Sequence, residues 1–176
     1  MEIEVLEKTT IFQGRVFDVR QERVRLPDGT DHSVDMVIHG GSVAIVPMGE
    51  QGLLWFVEQY RHPAGKSLLE FPAGVVDPGE THAECAQREL REEIGMAASE
   101  LTRLGEFYLA PGYSSELLHV YLASRLYHAP LEGDEDENVR VVQIPVQKAF
   151  QLAENGEILD AKTLGALTLA RKRILP

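Results

Sequence analysis

The stretch from Gly74 to Met96 limits what this chain can fold into more than any other. A turn at Asp77-Pro78-Gly79 leads into a helix opened by Thr81 with Glu84 three residues on, the pattern of a capping box. Gly95 supplies the usual C-terminal stop. At 100° per residue, Ala83, Leu90 and Ile94 fall on one side, which is predicted to pack on a core. Glu89, Glu92 and Glu93 fall within another arc of about 100°.

That carboxylate face needs an explanation. Glu89 and Glu93 are like charges one turn apart, an arrangement that costs an isolated helix roughly 0.2–0.5 kcal/mol. Arg91 points to the far side and does not neutralise them. A solvated acidic face is the common alternative. It leaves the repulsion beside a glycine-rich turn unexplained. Several oxygen donors converging on one face suit a hard cation such as Mg2+ or Mn2+.

Gly74, Glu80, Arg88-Glu89-Leu90, Glu92-Glu93 and Gly95-Met96 occupy every position of G-x5-E-x7-R-E-U-x-E-E-x-G-U, with U a bulky aliphatic residue. The stretch therefore resembles the Nudix box. The resemblance implies a hydrolase of nucleoside diphosphates linked to another group, with divalent metal on the box carboxylates. Glu89 and Glu93 are the implied principal ligands, with Glu92 joining when a further ion binds. The backbone carbonyl of Ala73 matches a family ligand, and Gly74 permits the close backbone approach. Glu80 and Arg88 are expected to pair and to hold the loop against the helix, a supporting role for the metal site.

Features outside the box narrow the resemblance to the ADP-ribose pyrophosphatase subgroup. Glu58-Gln59 with Arg61 precedes the box at the subgroup's distance, and the matching arginine there contacts substrate phosphate; an ordinary exposed loop arginine is the other reading of Arg61. Pro111-Gly112 follows it, and Glu116 matches a residue implied to bind the terminal ribose; a simple loop carboxylate explains Glu116 equally well. Asp134-Glu135-Asp136-Glu137 precedes Val139-Arg140-Val141 and resembles the loop carrying the catalytic glutamate. That points to Glu135 as general base, with Glu137 as the near alternative; a solvated hairpin tip is the other reading.

The resemblance implies ADP-ribose, cleaved to AMP and ribose 5-phosphate, as substrate. GDP-mannose or another nucleoside diphosphate sugar is the alternative. A non-catalytic nucleotide-binding module is disfavoured, because the box carboxylates are all present.

Length and charge bound the rest. With 176 residues the chain can bury a sizeable core. A formal charge of −11 disfavours a passive role on nucleic acid or anionic membrane. Bound metal would still reverse the local sign for a phosphorylated substrate. The single cysteine, Cys85, excludes an intrachain disulfide framework and reads as a small buried thiol. Without a signal-peptide pattern or an 18-residue apolar run, the expected location is the cytoplasm.

Strands are predicted over 2–9, 16–26 and 32–38, with Pro27-Asp28-Gly29-Thr30 as a turn. Residues 1–39 then form a small antiparallel β unit, too small to stand alone. The apolar runs 42–48 and 53–59 read as a hairpin. Strands follow at 104–109, 117–123 and 139–146, then helices over about 146–155 and 161–173. Pattern alone gives α+β. The resemblance sharpens this to an α/β/α sandwich with a mixed sheet over 40–176, and implies a homodimer built through the N-terminal unit.

Overall fold

The computed structural model describes residues 2–133 and 139–175. They fall into two units, one comprising the first 41 residues together with Tyr108–Leu117, the other Ser42–Phe107 and Leu118 onward.

In the first unit, β1 (Glu4–Gln13), β2 (Phe17–Arg25) and β3 (Asp31–His39) form an antiparallel meander. The turn between β2 and β3 follows from its residues. Asp28 Oδ1 accepts from Thr30 N at 2.9 Å, and Leu26 N donates to Thr30 O at 2.8 Å. The segment Tyr108–Leu117 joins this unit through the backbone: Val37 N donates to Tyr113 O at 2.8 Å and Ser115 N to Val37 O at 3.0 Å. Among its described residues only Val24 is a buried apolar side chain, while Ile11, Phe12 and Phe17 are exposed.

The second unit holds two sheets. In one, β7 (Ala73–Val75), β4 (Ser42–Pro47), β9 (Leu117–His128) and β8 (Met96–Tyr108) lie in that order. In the other, β10 (Val139–Pro145), β5 (Leu53–Arg61) and β6 (Lys66–Glu70) lie in that order. β4 is buried at every position and runs parallel to β9 but antiparallel to β7. A strand apolar on both faces belongs at the centre of a covered sheet. This corrects the expected hairpin over 42–59. The two runs meet at their connecting turn, through the bridge Met48–Leu54 and Gly49 N donating to Leu53 O at 2.8 Å, after which β5 enters the other sheet.

Helix α1 (His82–Glu93) sets Cys85, Ala86, Leu90 and Ile94 against Val43, Ile45, Val57, Tyr121 and Ala123. Ala83, expected in the core, is exposed, because the buried stripe is shifted onto Cys85 and Ala86. Helix α2 (Val146–Glu154) packs on β5 and β10, and α3 (Ala161–Ile174) on β4. Phe56 of β5 stacks on Phe71 at 4.4 Å between ring centroids. The architecture is mixed α+β, with an antiparallel N-terminal sheet and three helices.

Candidate active site

The site is assembled around α1. Its start is fixed by a reciprocal cap: Thr81 Oγ1 accepts from Glu84 N at 3.3 Å, and Glu84 Oε2 accepts from Thr81 N at 2.8 Å. The Thr81 hydroxyl, donating to Glu84 Oε2 at 2.7 Å, and the Thr81 N–H hold the Glu84 carboxyl below its ordinary range. The preceding turn is closed by Glu80 N donating to Asp77 O at 3.0 Å.

Arg88 then ties turn and helix together. Its Nε and Nη2 each donate to Glu80 at 3.0 Å, and Nη2 also reaches the Val75 carbonyl at 3.0 Å. The Glu80–Arg88 pair expected from the sequence is therefore present. These hydrogen bonds, donated by Arg88, hold the Glu80 carboxyl below its ordinary range and raise Arg88.

Arg88 does something the sequence reading missed. Its Nη1 donates to Glu89 Oε1 at 2.6 Å and to Glu92 Oε2 at 3.0 Å. The carboxylate face is thus partly neutralised by its own neighbour, so the expected uncompensated repulsion does not hold. Arg91 does turn away, donating to the Ala129 carbonyl at 2.9 Å. Cys85 lies beneath this network, and burial, with Glu80 and Glu89 nearby, pushes its thiol strongly up. It is a buried free thiol, packed away from the exposed, electropositive setting of reactive cysteines.

Glu89 and Glu93 are 6% and 5% exposed, and helix residues of this type are seldom so buried without charged partners. The Glu89 carboxylate lies directly over the Gly74 backbone. A Cβ on Gly74 would fall 1.7 Å from Glu89 Oε1, so any side chain there would displace that carboxylate. Buried carboxylate oxygens beside a bare backbone segment that also carries the Ala73 carbonyl are the donor chemistry a hard divalent cation prefers. The residues fit such an ion. Among the described residues no three carboxylate, imidazole or thiol groups already converge on a point. Arg88 Nη1 sits against two of the carboxylates instead.

Arg61 closes β5, the strand paired with β6. Its Nε and Nη2 grip Glu70 in a two-pronged pair at 2.8 and 2.7 Å. This hydrogen-bonded pair raises Arg61, with Glu93 adding a smaller electrostatic contribution. Glu70, 1% exposed, also takes an ion pair from Lys162 Nζ. Burial pushes Glu70 up, but Arg61 and Lys162 outweigh it and hold the carboxyl below its ordinary range. Sequence reading passed over Glu70 and Lys162. The available signal was a carboxylate set between Leu69 and Phe71, where only a paired charge is tolerated.

Of the remaining candidates, Glu116 lies in the first unit, its N–H donating to Ser114 Oγ at 3.2 Å. Glu135 and Glu137 lie outside the described residues.

Residues 38–165 match the NUDIX domain family, and residues 3–34 match the nucleoside diphosphate sugar hydrolase N-terminal domain. An ADP-ribose pyrophosphatase of Bacillus subtilis (strain 168) is 38% identical over 169 residues, spanning 95% of this chain and 91% of the relative. Another from Mycobacterium tuberculosis is 37% identical over 163 residues, spanning 91% of this chain and 79% of that one. A crystal structure of an ADP compounds hydrolase superposes with a TM-score of 0.87 at 30% identity, covering 98% of this chain and 94% of that chain. With the box intact on α1, and a family match across most of the second unit, this chain belongs to the Nudix family and is a Nudix hydrolase.

Proposed function

We propose that the protein hydrolyses the pyrophosphate bond of ADP-ribose to AMP and ribose 5-phosphate, with Mg2+ as its working metal and Mn2+ as a substitute. The supporting observation is the likeness, across nearly the whole chain, to proteins described as ADP-ribose pyrophosphatases. Nudix hydrolases use divalent metal ions, and a bound ion supplies charge neutralisation on the pyrophosphate and a more acidic water. Glu89, Glu93 and the Ala73 carbonyl would hold it, with Glu92 for a further ion.

The protein's own residues then have separate tasks. Glu80 and Arg88 lock the Val75–Glu80 loop against α1, which keeps the Ala73-Gly74 backbone under Glu89. Arg61 offers a planar fork of donors to a substrate phosphate. Glu135, or Glu137, takes the proton from the attacking water, and Glu116 holds the terminal ribose. Residues 1–39 form a separate N-terminal domain before the catalytic domain of 40–176 and build a homodimer. That dimer is supported by the exposed Ile11, Phe12 and Phe17. Among the described residues no helix is long and apolar enough to cross a membrane. A small nucleotide substrate fits a cytoplasmic enzyme.

The test is a panel of ADP-ribose, GDP-mannose and other nucleoside diphosphate sugars with Mg2+, scored for released AMP or GMP. ADP-ribose should lead in kcat/KM; a clear lead for GDP-mannose overturns the substrate assignment. On the preferred substrate, Glu135→Gln should lower turnover by ~10²–10⁴-fold, the ordinary weight of general-base catalysis. Turnover within a few-fold of wild type in both Glu135→Gln and Glu137→Gln rules this loop out.

A further inference from the structure

Lys162 sits at the start of α3 and holds two carboxylates at once. Its Nζ pairs with the buried Glu70 and lies 3.0 Å from Asp160 Oδ1, and its side chain is only 14% exposed. Asp160 is the N-cap of α3, accepting from Thr163 N at 3.0 Å and from Thr163 Oγ1 at 2.6 Å. Thr163 Oγ1 in turn accepts from Phe71 N at 2.9 Å, so the cap of α3 is fastened to the residue that follows Glu70. The four charges Arg61, Glu70, Lys162 and Asp160 form one continuous row.

The order of charges in that row has a consequence. Arg61 alone against a buried Glu70 would be a neutral pair, aimed by the carboxylate but with little field left for an anionic substrate. Lys162 supplies a second cation to the same carboxylate. Asp160 takes up part of that cation through Oδ1, but its Oδ2 is met by Thr163 at the positive end of α3, so Lys162 is only partly spent on it. Part of the charge of Arg61 is therefore left uncancelled by Glu70. Its Nε and Nη2 are the groups engaged with Glu70, and a guanidinium carries further N–H donors beyond those.

We propose that Lys162 is a positioning residue for the substrate phosphate: by taking up the charge of Glu70, it lets that carboxylate aim Arg61 without neutralising it. The assignment rests on the reading of Arg61 as the phosphate contact. Lys162 itself touches neither substrate nor metal in this role. Its effect should fall on binding, and binding lost equally from ground and transition states raises KM while sparing kcat.

The experiment compares steady-state kinetics with ADP-ribose for Lys162→Met, Lys162→Arg, the double variant Glu70→Gln with Lys162→Met, and Arg61→Ala. Melting temperatures are read in parallel. Lys162→Met should raise KM by about tenfold with kcat within about threefold, the signature of lost uniform binding. Lys162→Arg should keep KM near wild type. The double variant should recover most of the lost affinity even if its melting temperature does not recover, because Arg61 is again unneutralised. A scaffold role for Lys162 gives no such recovery. KM unchanged in Lys162→Met, or equally impaired in the double variant, overturns the inference. Arg61→Ala separates the two layers. A raised KM there with Lys162→Met unaffected removes only the role of Lys162. An unchanged KM in Arg61→Ala removes the phosphate reading, and this inference with it.

Discussion

Gly74 shows how one missing side chain can place a carboxylate. With a Cβ position 1.7 Å from Glu89 Oε1, Gly74→Ala must push that carboxylate off the backbone. Turnover at fixed Mg2+ is expected to fall by ~10–100-fold, the usual cost of disturbing the support of a metal ligand, while the Mg2+ needed for half-maximal rate rises. A metal titration of the variant checks this, and a wild-type curve would remove Glu89 from the ligand set. Glu80 gives a pH prediction. Its folded-state pKa lies below the ordinary glutamate value, chiefly through the Arg88 hydrogen bond. A lowered pKa stabilises the fold fully above the unfolded value of about 4.3 and progressively less as pH falls through the folded one. The melting temperature of Glu80→Gln should therefore lie below wild type at pH 7, and the gap should close on acidification. A gap that widens toward low pH contradicts the sign. Motif spacing pairs Arg88 with Glu80 alone, but its third nitrogen also serves Glu89 and Glu92.

At the scale of elements, α1 was legible because capping chemistry and box spacing are local. Thr81 and Glu84 cap each other as expected, and the helix ends next to Gly95. Its buried face was less legible, since Ala83 and Cys85 both suit a core and only the neighbouring strands choose between them. α3 offers a test of packing against propensity. Gly165 lies within it, and Gly→Ala inside a helix normally stabilises by about 1 kcal/mol. Here the added Cβ would meet the Phe107 ring at 2.3 Å. Overpacking costs ~1–3 kcal/mol, so Gly165→Ala should lower the melting temperature despite the helical gain. A rise in the melting temperature would show that Phe107 moves aside freely.

For the whole molecule, the N-terminal unit carries the main question. Its sheet leaves Ile11, Phe12 and Phe17 exposed, and among the described residues Val24 is its one buried apolar side chain. Deleting residues 1–39 should convert a dimer to a monomer, read as mass in solution, and raise KM for ADP-ribose. A truncated protein with an unchanged oligomeric state and an unchanged KM would refute the role of this unit in dimerisation and in substrate binding.

What the sequence by itself determined is what lies close along the chain: the α1 cap and stop, the Glu80–Arg88 pair, the turn at Asp28, and the family. Each depends on residues a few positions apart, or on a motif whose spacing is its content. What only the tertiary structure decided is which distant segments meet. The runs at 42–48 and 53–59 look like one hairpin, yet pairing of β4 with β9 puts them in different sheets. The row from Arg61 through Glu70 to Lys162 joins residues nine and 92 positions apart, a distance across which sequence periodicity carries no information. Only the fold brings the second cation to the buried carboxylate.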